Sequence, residues 1–234
     1  MPAPGARKTT PTSAELAMLS TVATGLSRHG PFHDSRVKVI VDGSPILVRL
    51  HSFRRFAADR EQRAPRLRVD RVVLRVRDHL GAVAAALLPA GSMALVTVQA
   101  PIRAASQTID SIEATLRALA AGGPTGRSRA SRLFGNRIRV GLLPAPRRAR
   151  SRLVCLVHTH DVDAARLRTM TRDLLALAAL PAFPTGKGWL VVSTPEQSRL
   201  LPLYRHIFSQ LGVGLPYRAA LMVFADGKTG FLLD

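Results

Sequence analysis

His158-Thr159-His160-Asp161, with Asp163 close behind, is the stretch of this sequence best furnished for metal or acid–base chemistry. Imidazole nitrogens and carboxylates form the donor set of zinc and manganese sites, and a metal held there would activate water against a phosphoester. The stretch follows an apolar run, Leu153 to Val157, that reads as a strand opening into a helix, the strand end where α/β proteins place ligands. The spacing argues against a metal. Two histidines one residue apart in extended chain point to opposite faces, so both reach one ion only where the chain turns. Asp161 serves equally well as a helix cap, which leaves the histidines as polar loop residues. The expectation is no cofactor and no metal, with His158, His160 and Asp161 as the candidate ligands of the alternative.

The remaining candidates for catalysis read as structural. Asp42 follows Val39-Ile40-Val41 but leads at once into Ile46 to Leu50, as a turn residue does. Gly186-Lys187-Gly188 lacks the spacing of a phosphate-binding loop and precedes a strand instead of a helix. Cys155, the single cysteine, sits inside an apolar strand, where a buried inert thiol is expected and no disulfide framework is possible. Ser106 and Ser193-Thr194 lack the glycine-flanked elbow of a hydrolase nucleophile.

The charge is the strongest signal. The 234 residues carry 34 Lys and Arg against 15 Asp and Glu, a formal net charge of +19, yet 47% are hydrophobic, enough to build a core. From Ala114 to His160 there are ten arginines and no acid, and Arg49 to Arg77 is a second basic block. Repulsion of that size is relieved by a polyanionic partner. Arg54, Arg55, Arg127, Arg129, Arg132, Arg137, Arg147, Arg148, Arg150 and Arg152 are the expected phosphate contacts. RNA is slightly preferred over DNA, because arginine-rich loops fold onto irregular RNA. Aromatic interleaving is thin: Phe53 and Phe56 flank Arg54 and Arg55 at a spacing typical of a helix's core face, and Phe134 lies between Arg132 and Arg137.

The elements that must position these residues read as α/β, with α+β as the variant. Apolar runs separated by Asp-Gly turns predict β-hairpins near residues 36–50 and 220–233. Between them, four strand-to-helix runs are expected: Val72 to Val76 into Asp78 to Leu88, Ala94 to Val98 into Ser106 to Ala121, Leu153 to Val157 into Val162 to Leu180, and Trp189 to Val192 into Pro195 to Leu211. Spacing carries the helices, with Ile109, Ile112, Leu116 and Leu119 three to four apart. Ser106 or Thr108, Asp161, and Thr194-Pro195-Glu196 supply start signals, whereas Pro202 kinks the fourth helix or moves its start. The two halves show a faint repeat, βαβα plus β.

The organisation expected is a flexible N-terminus with a possible helix (1–30), a first α/β half (31–121), arginine-rich loops around one strand, Arg137 to Leu143 (122–152), and a second half (153–234), the halves being able to form a single domain. The last reads βαβαββ, an element order similar to that of the small nucleic-acid-binding fold of the Alba proteins and of the C-terminal domain of bacterial translation initiation factor three. No apolar stretch is long enough to span a membrane, since the longest runs only from Gly81 to Pro89. A cytoplasmic or other intracellular location is expected, with organelle transit the alternative offered by Arg7, Lys8 and Arg28. The function expected is non-enzymatic contact with an RNA or DNA backbone. The alternatives are an assembly subunit docking on an acidic protein or ribonucleoprotein, and a metal-dependent phosphoester hydrolase.

Overall fold

The computed structural model describes residues 21, 35–41, 44–53, 71–99, 101–122, 127–145, 151–158, 164–181, 183 and 188–232. In chain order its elements are β1 (Ser35–Val41), β2 (Ser44–Ser52), α1 (Arg71–Leu87), β3 (Ser92–Gln99), α2 (Ala105–Ala121), β4 (Ser128–Leu133), β5 (Asn136–Pro144), β6 (Leu153–His158), α3 (Ala164–Ala179), β7 (Trp189–Ser193), a single 3-10 turn (Ser198–Leu200), α4 (Leu201–Leu211), β8 (Ala219–Val223) and β9 (Thr229–Phe231). Helices alternate with strands in two mixed sheets, the α/β class that the sequence predicts. The chain divides into two compact units, one of Met1–Arg55, Pro181–Leu201 and Leu215–Asp234, the other of Phe56–Leu180 and Pro202–Gly214.

The first unit holds a sheet in the order β1-β2-β7-β8-β9. Both predicted hairpins are in it, β1 with β2 and β8 with β9, while Asp42 and Gly43 lie outside the described residues. β2, β7 and β8 run parallel, and β7 and β8 are buried on both faces, so their sequences read as unbroken apolar runs. Val48, Leu50, Trp189, Val191 and Leu221 form the core on one face. Arg49, next in the strand to Val48, faces the other way and is only 2% exposed. Its Nη1 donates to Pro181 O at 2.9 Å and to the Tyr217 hydroxyl at 3.3 Å, and the Phe183 ring lies 5.9 Å from its guanidinium carbon.

The second unit holds a sheet in the order β4-β5-β3-β6, with β3 parallel to β6 and antiparallel to β5. Ala94, Val96 and Val98 of β3, Ile138 and Val140 of β5, and Cys155 and Val157 of β6 make one apolar face. Val73, Val76 and Leu80 of α1 and Ile112 and Leu116 of α2 are buried against it, each side chain contributing about 1.5–3 kcal/mol by leaving water. No helix among the described residues is long and apolar enough to cross a membrane.

Several expectations change. Val72 to Val76 is the opening of α1, not a strand: Val73, Val76, Leu80 and Ala84 recur three to four apart and are all buried, and that helical burial outweighs the strand preference of valine. The repeat of βαβα plus β goes with it. Residues 128–133, read as loop, form β4, which pairs with β5 from Ser128 opposite Gly141 to Leu133 opposite Asn136. The order βαβαββ from Leu153 is present, but β6 belongs to one sheet and β7, β8 and β9 to the other, so the likeness to the small nucleic-acid-binding fold extends to element order alone. α4 begins at Leu201 with Pro202 in its first turn, where a missing N–H leaves no helical bond unmade. Thr194-Pro195-Glu196 is instead tied to the last hairpin, through Thr194 N to Val223 O and Ala225 N to Glu196 O, both 2.9 Å.

Candidate nucleic-acid interface

Arg129, Arg132 and Arg137 lie on the β4–β5 hairpin and Arg127 just before it, all exposed. Arg127 Nη1 donates to Gly122 O at 2.6 Å, and Arg129, opposite Val140, is on the other face from Arg132 and Arg137. Arg54, Arg55, Arg147, Arg148 and Arg150 lie outside the described residues. Directly opposed residues of an antiparallel ladder project to the same face. Arg132 stands opposite Arg137 and Ala130 opposite Arg139, so Arg132, Arg137 and Arg139 share one face of the sheet. Ile138 and Val140 alternate with them and are buried towards the helices. Among the described residues Arg129, Arg132 and Arg139 make no ion pair. Glu113, the last acid before the arginine run, is already engaged: Arg117 donates to it at 2.5 Å and His79 Nε2 lies 3.3 Å away. Those two hydrogen bonds, Arg117 first, hold its carboxyl below the usual range.

The hairpin turns through Phe134 and Gly135, with φ of 50° and 79°. Two central residues with positive φ make a type I′ connection, whose twist matches that of the strands. Glycine suits such a conformation; phenylalanine is a bulky outlier in it, and Phe134 is left 47% exposed. Asn136, 1% exposed, braces the base of the hairpin. Its Oδ1 accepts from Arg103 N at 2.9 Å, and its Nδ2 donates to Arg103 O at 2.8 Å and to Thr108 Oγ1 at 2.9 Å. The Arg103 side chain runs over Gly135, where an added Cβ would stand 3.2 Å from its Nη1. Neither Ser106 nor Thr108 caps α2. The chain enters that helix through Ala104 at φ 45°, and Thr108 Oγ1 donates back to Arg103 O at 2.9 Å.

Further along the same face, Leu95, Thr97, Arg139, Gly141, Leu143 and Arg168 line a shallow notch. Arg168 of α3 lies beside the strand at Gly141, with Nη2 3.8 Å from the place of an added Cβ. Two guanidinium groups beside a threonine and a bare backbone form an arrangement that accepts an oxyanion.

Arg152 is placed otherwise: its Nη1 donates to Leu88 O at the end of α1, the role of a basic residue closing a helix C-terminus. His158 ends β6, opposite Gln99 of β3, and is 7% exposed; His160, Asp161 and Asp163 lie outside the described residues. Among the described residues no group of three His, Cys, Asp or Glu could hold a metal. Cys155 is fully buried and its thiol is pushed up to about 12 by desolvation, an inert group as expected.

Arg139 and Arg168 extend the basic face and Arg103 stands beside its turn, and none of the three is among the expected phosphate contacts. The alternation of Arg137 and Arg139 with Ile138 and Val140 is the period-two signal that carries Arg139. Arg103 and Arg168 come from other elements and leave no such signal. Comparison with family models, curated proteins and solved structures finds no match to this chain.

Proposed function

We propose that this protein binds nucleic acid, RNA in preference to DNA, through the face formed by Arg132, Arg137 and Arg139, with Arg103 beside its turn and Arg168 at its far end, and that the contacts are to phosphate. The observation that carries the reading is the register of the hairpin. Arg132 and Arg137 are set directly opposite, a like-charge pairing that weakens a strand pair, and Arg132 makes no ion pair among the described residues. A phosphate between two such guanidinium groups turns that repulsion into two charge-assisted hydrogen bonds. Asn136 holds the hairpin to the loop before α2, so the arginines stand on rigid strands and lose little freedom on binding.

The test is Arg132→Thr, which keeps strand propensity and removes the like-charge pair. The variant should unfold at a slightly higher denaturant concentration than the wild type and bind a single-stranded RNA oligonucleotide more weakly. Unchanged RNA affinity in a variant that folds normally would assign the charge to a protein partner.

A further inference from the structure

We propose that Phe134 is a base-stacking residue, and that the hairpin therefore takes single-stranded RNA, one unpaired base lying on the ring while the flanking arginines hold the strand's phosphates. The proposal rests on the nucleic-acid reading above and deepens it from backbone contact to strand state.

Three observations converge on this residue. Its place in the turn is the wrong one for its chemistry: the first central position of a type I′ turn favours Asn, Asp or Gly, and Phe134 occupies it with φ 50°. It is left half open to solvent: the residue is 47% exposed and, with Val72, is one of two exposed large hydrophobic residues among those described. Its surroundings are cationic, with Arg132 and Arg137 on the two strands below it and Arg103 over the neighbouring Gly135.

A strained, exposed aromatic in a sequence free to place asparagine there serves something outside the folded chain. Charge complementarity names an anionic occupant. The ring adds the requirement that the occupant present a flat apolar face. A duplex covers its base faces by stacking them on each other, whereas an unpaired base leaves one open. Unpaired bases are most abundant in the loops and bulges of RNA, which makes a single RNA strand the occupant.

Phe134→Asn separates binding from folding, because asparagine is favoured at that turn position. The full chain carrying it should melt at or above the wild-type temperature, yet bind a single-stranded RNA oligonucleotide about tenfold more weakly, the size of one lost stack. Binding to an RNA duplex of the same strand length should be unchanged, and Phe134→Trp should keep the single-strand affinity. Wild-type single-strand affinity in Phe134→Asn, or an equal loss on single strand and duplex, would overturn the stacking role while leaving phosphate binding in place. A loss on single-stranded DNA but not on RNA would overturn RNA as the occupant. A wild-type protein that binds no nucleic acid at all overturns both readings together, and is told apart by that.

Discussion

The side-chain amide of Gln210 meets both backbone groups of Cys155: Oε1 accepts from the Cys155 N–H at 2.8 Å, and Nε2 donates to the Cys155 carbonyl at 2.9 Å. β6 is an edge strand of its sheet, and a glutamine from α4 stands there in place of the peptide group of a further strand. An edge that would otherwise offer open hydrogen bonds to another chain is closed at its centre.

Gln210→Ala should therefore cost about 1–3 kcal/mol, since it leaves a buried peptide group unsatisfied. Denaturant titration checks this. Gln210→Glu should be no better, because a carboxylate accepts from the N–H but repels the carbonyl. RNA affinity of the folded fraction should be unchanged in both.

Stability should fall on mild acidification through His206. Its Nε2 lies 2.7 Å from Gln210 Nε2, which can only donate, so the imidazole accepts and is neutral. Burial, and then the charge of Arg77, hold its pKa below the ordinary value. The unfolded chain thus takes up the proton first. The contribution is complete above a pH of about 6.5 and is lost as pH falls through the unfolded and then the lowered folded value. His206→Asn keeps an acceptor that cannot charge, and its stability should drop less than that of the wild type between neutral pH and pH about 5. Parallel curves would contradict the neutral acceptor.

Cys155 should resist thiol reagents in the native protein at mildly alkaline pH, because burial holds its thiol up to about 12. Labelling should proceed only as the sheet opens, and faster in Gln210→Ala. Rapid labelling of the native wild type would contradict the burial.

Tyr217→Phe should destabilise by about 1–3 kcal/mol without touching RNA affinity. The hydroxyl accepts from Arg49 and donates to Pro181 O at 3.0 Å, so its loss strips a buried guanidinium of a partner. Chemical denaturation together with an RNA titration reads both effects.

What was legible in the sequence was whatever buries itself in a period. α2 showed in Ile112, Leu116 and Leu119, and β3, β6 and β7 showed as apolar runs because both their faces are covered. β4 was hidden because Ser128 to Arg132 are all exposed: the ladder to β5 orders them, not a buried face. α1 was half read, its valines suggesting a strand until the burial of Leu80 and Ala84 places them on one helical stripe. Charge counting found the hairpin arginines but also counted Arg49, which is buried, and Arg152, which closes a helix. Neither Arg168 over Gly141 nor Gln210 on Cys155 could be read, since each joins elements far apart in the chain.

The salt dependence of RNA binding by the wild type and by Arg132→Gln/Arg137→Gln/Arg139→Gln/Arg168→Gln decides whether this face meets phosphate. Each phosphate contacted on a single strand contributes about −0.7 to the slope of log affinity against log salt, so five or six contacts give roughly −4. The fourfold variant should fold normally, bind more weakly, and show a slope shallower by about 3. A wild-type slope near zero, or one that the four substitutions leave unchanged, would contradict phosphate contact by the hairpin.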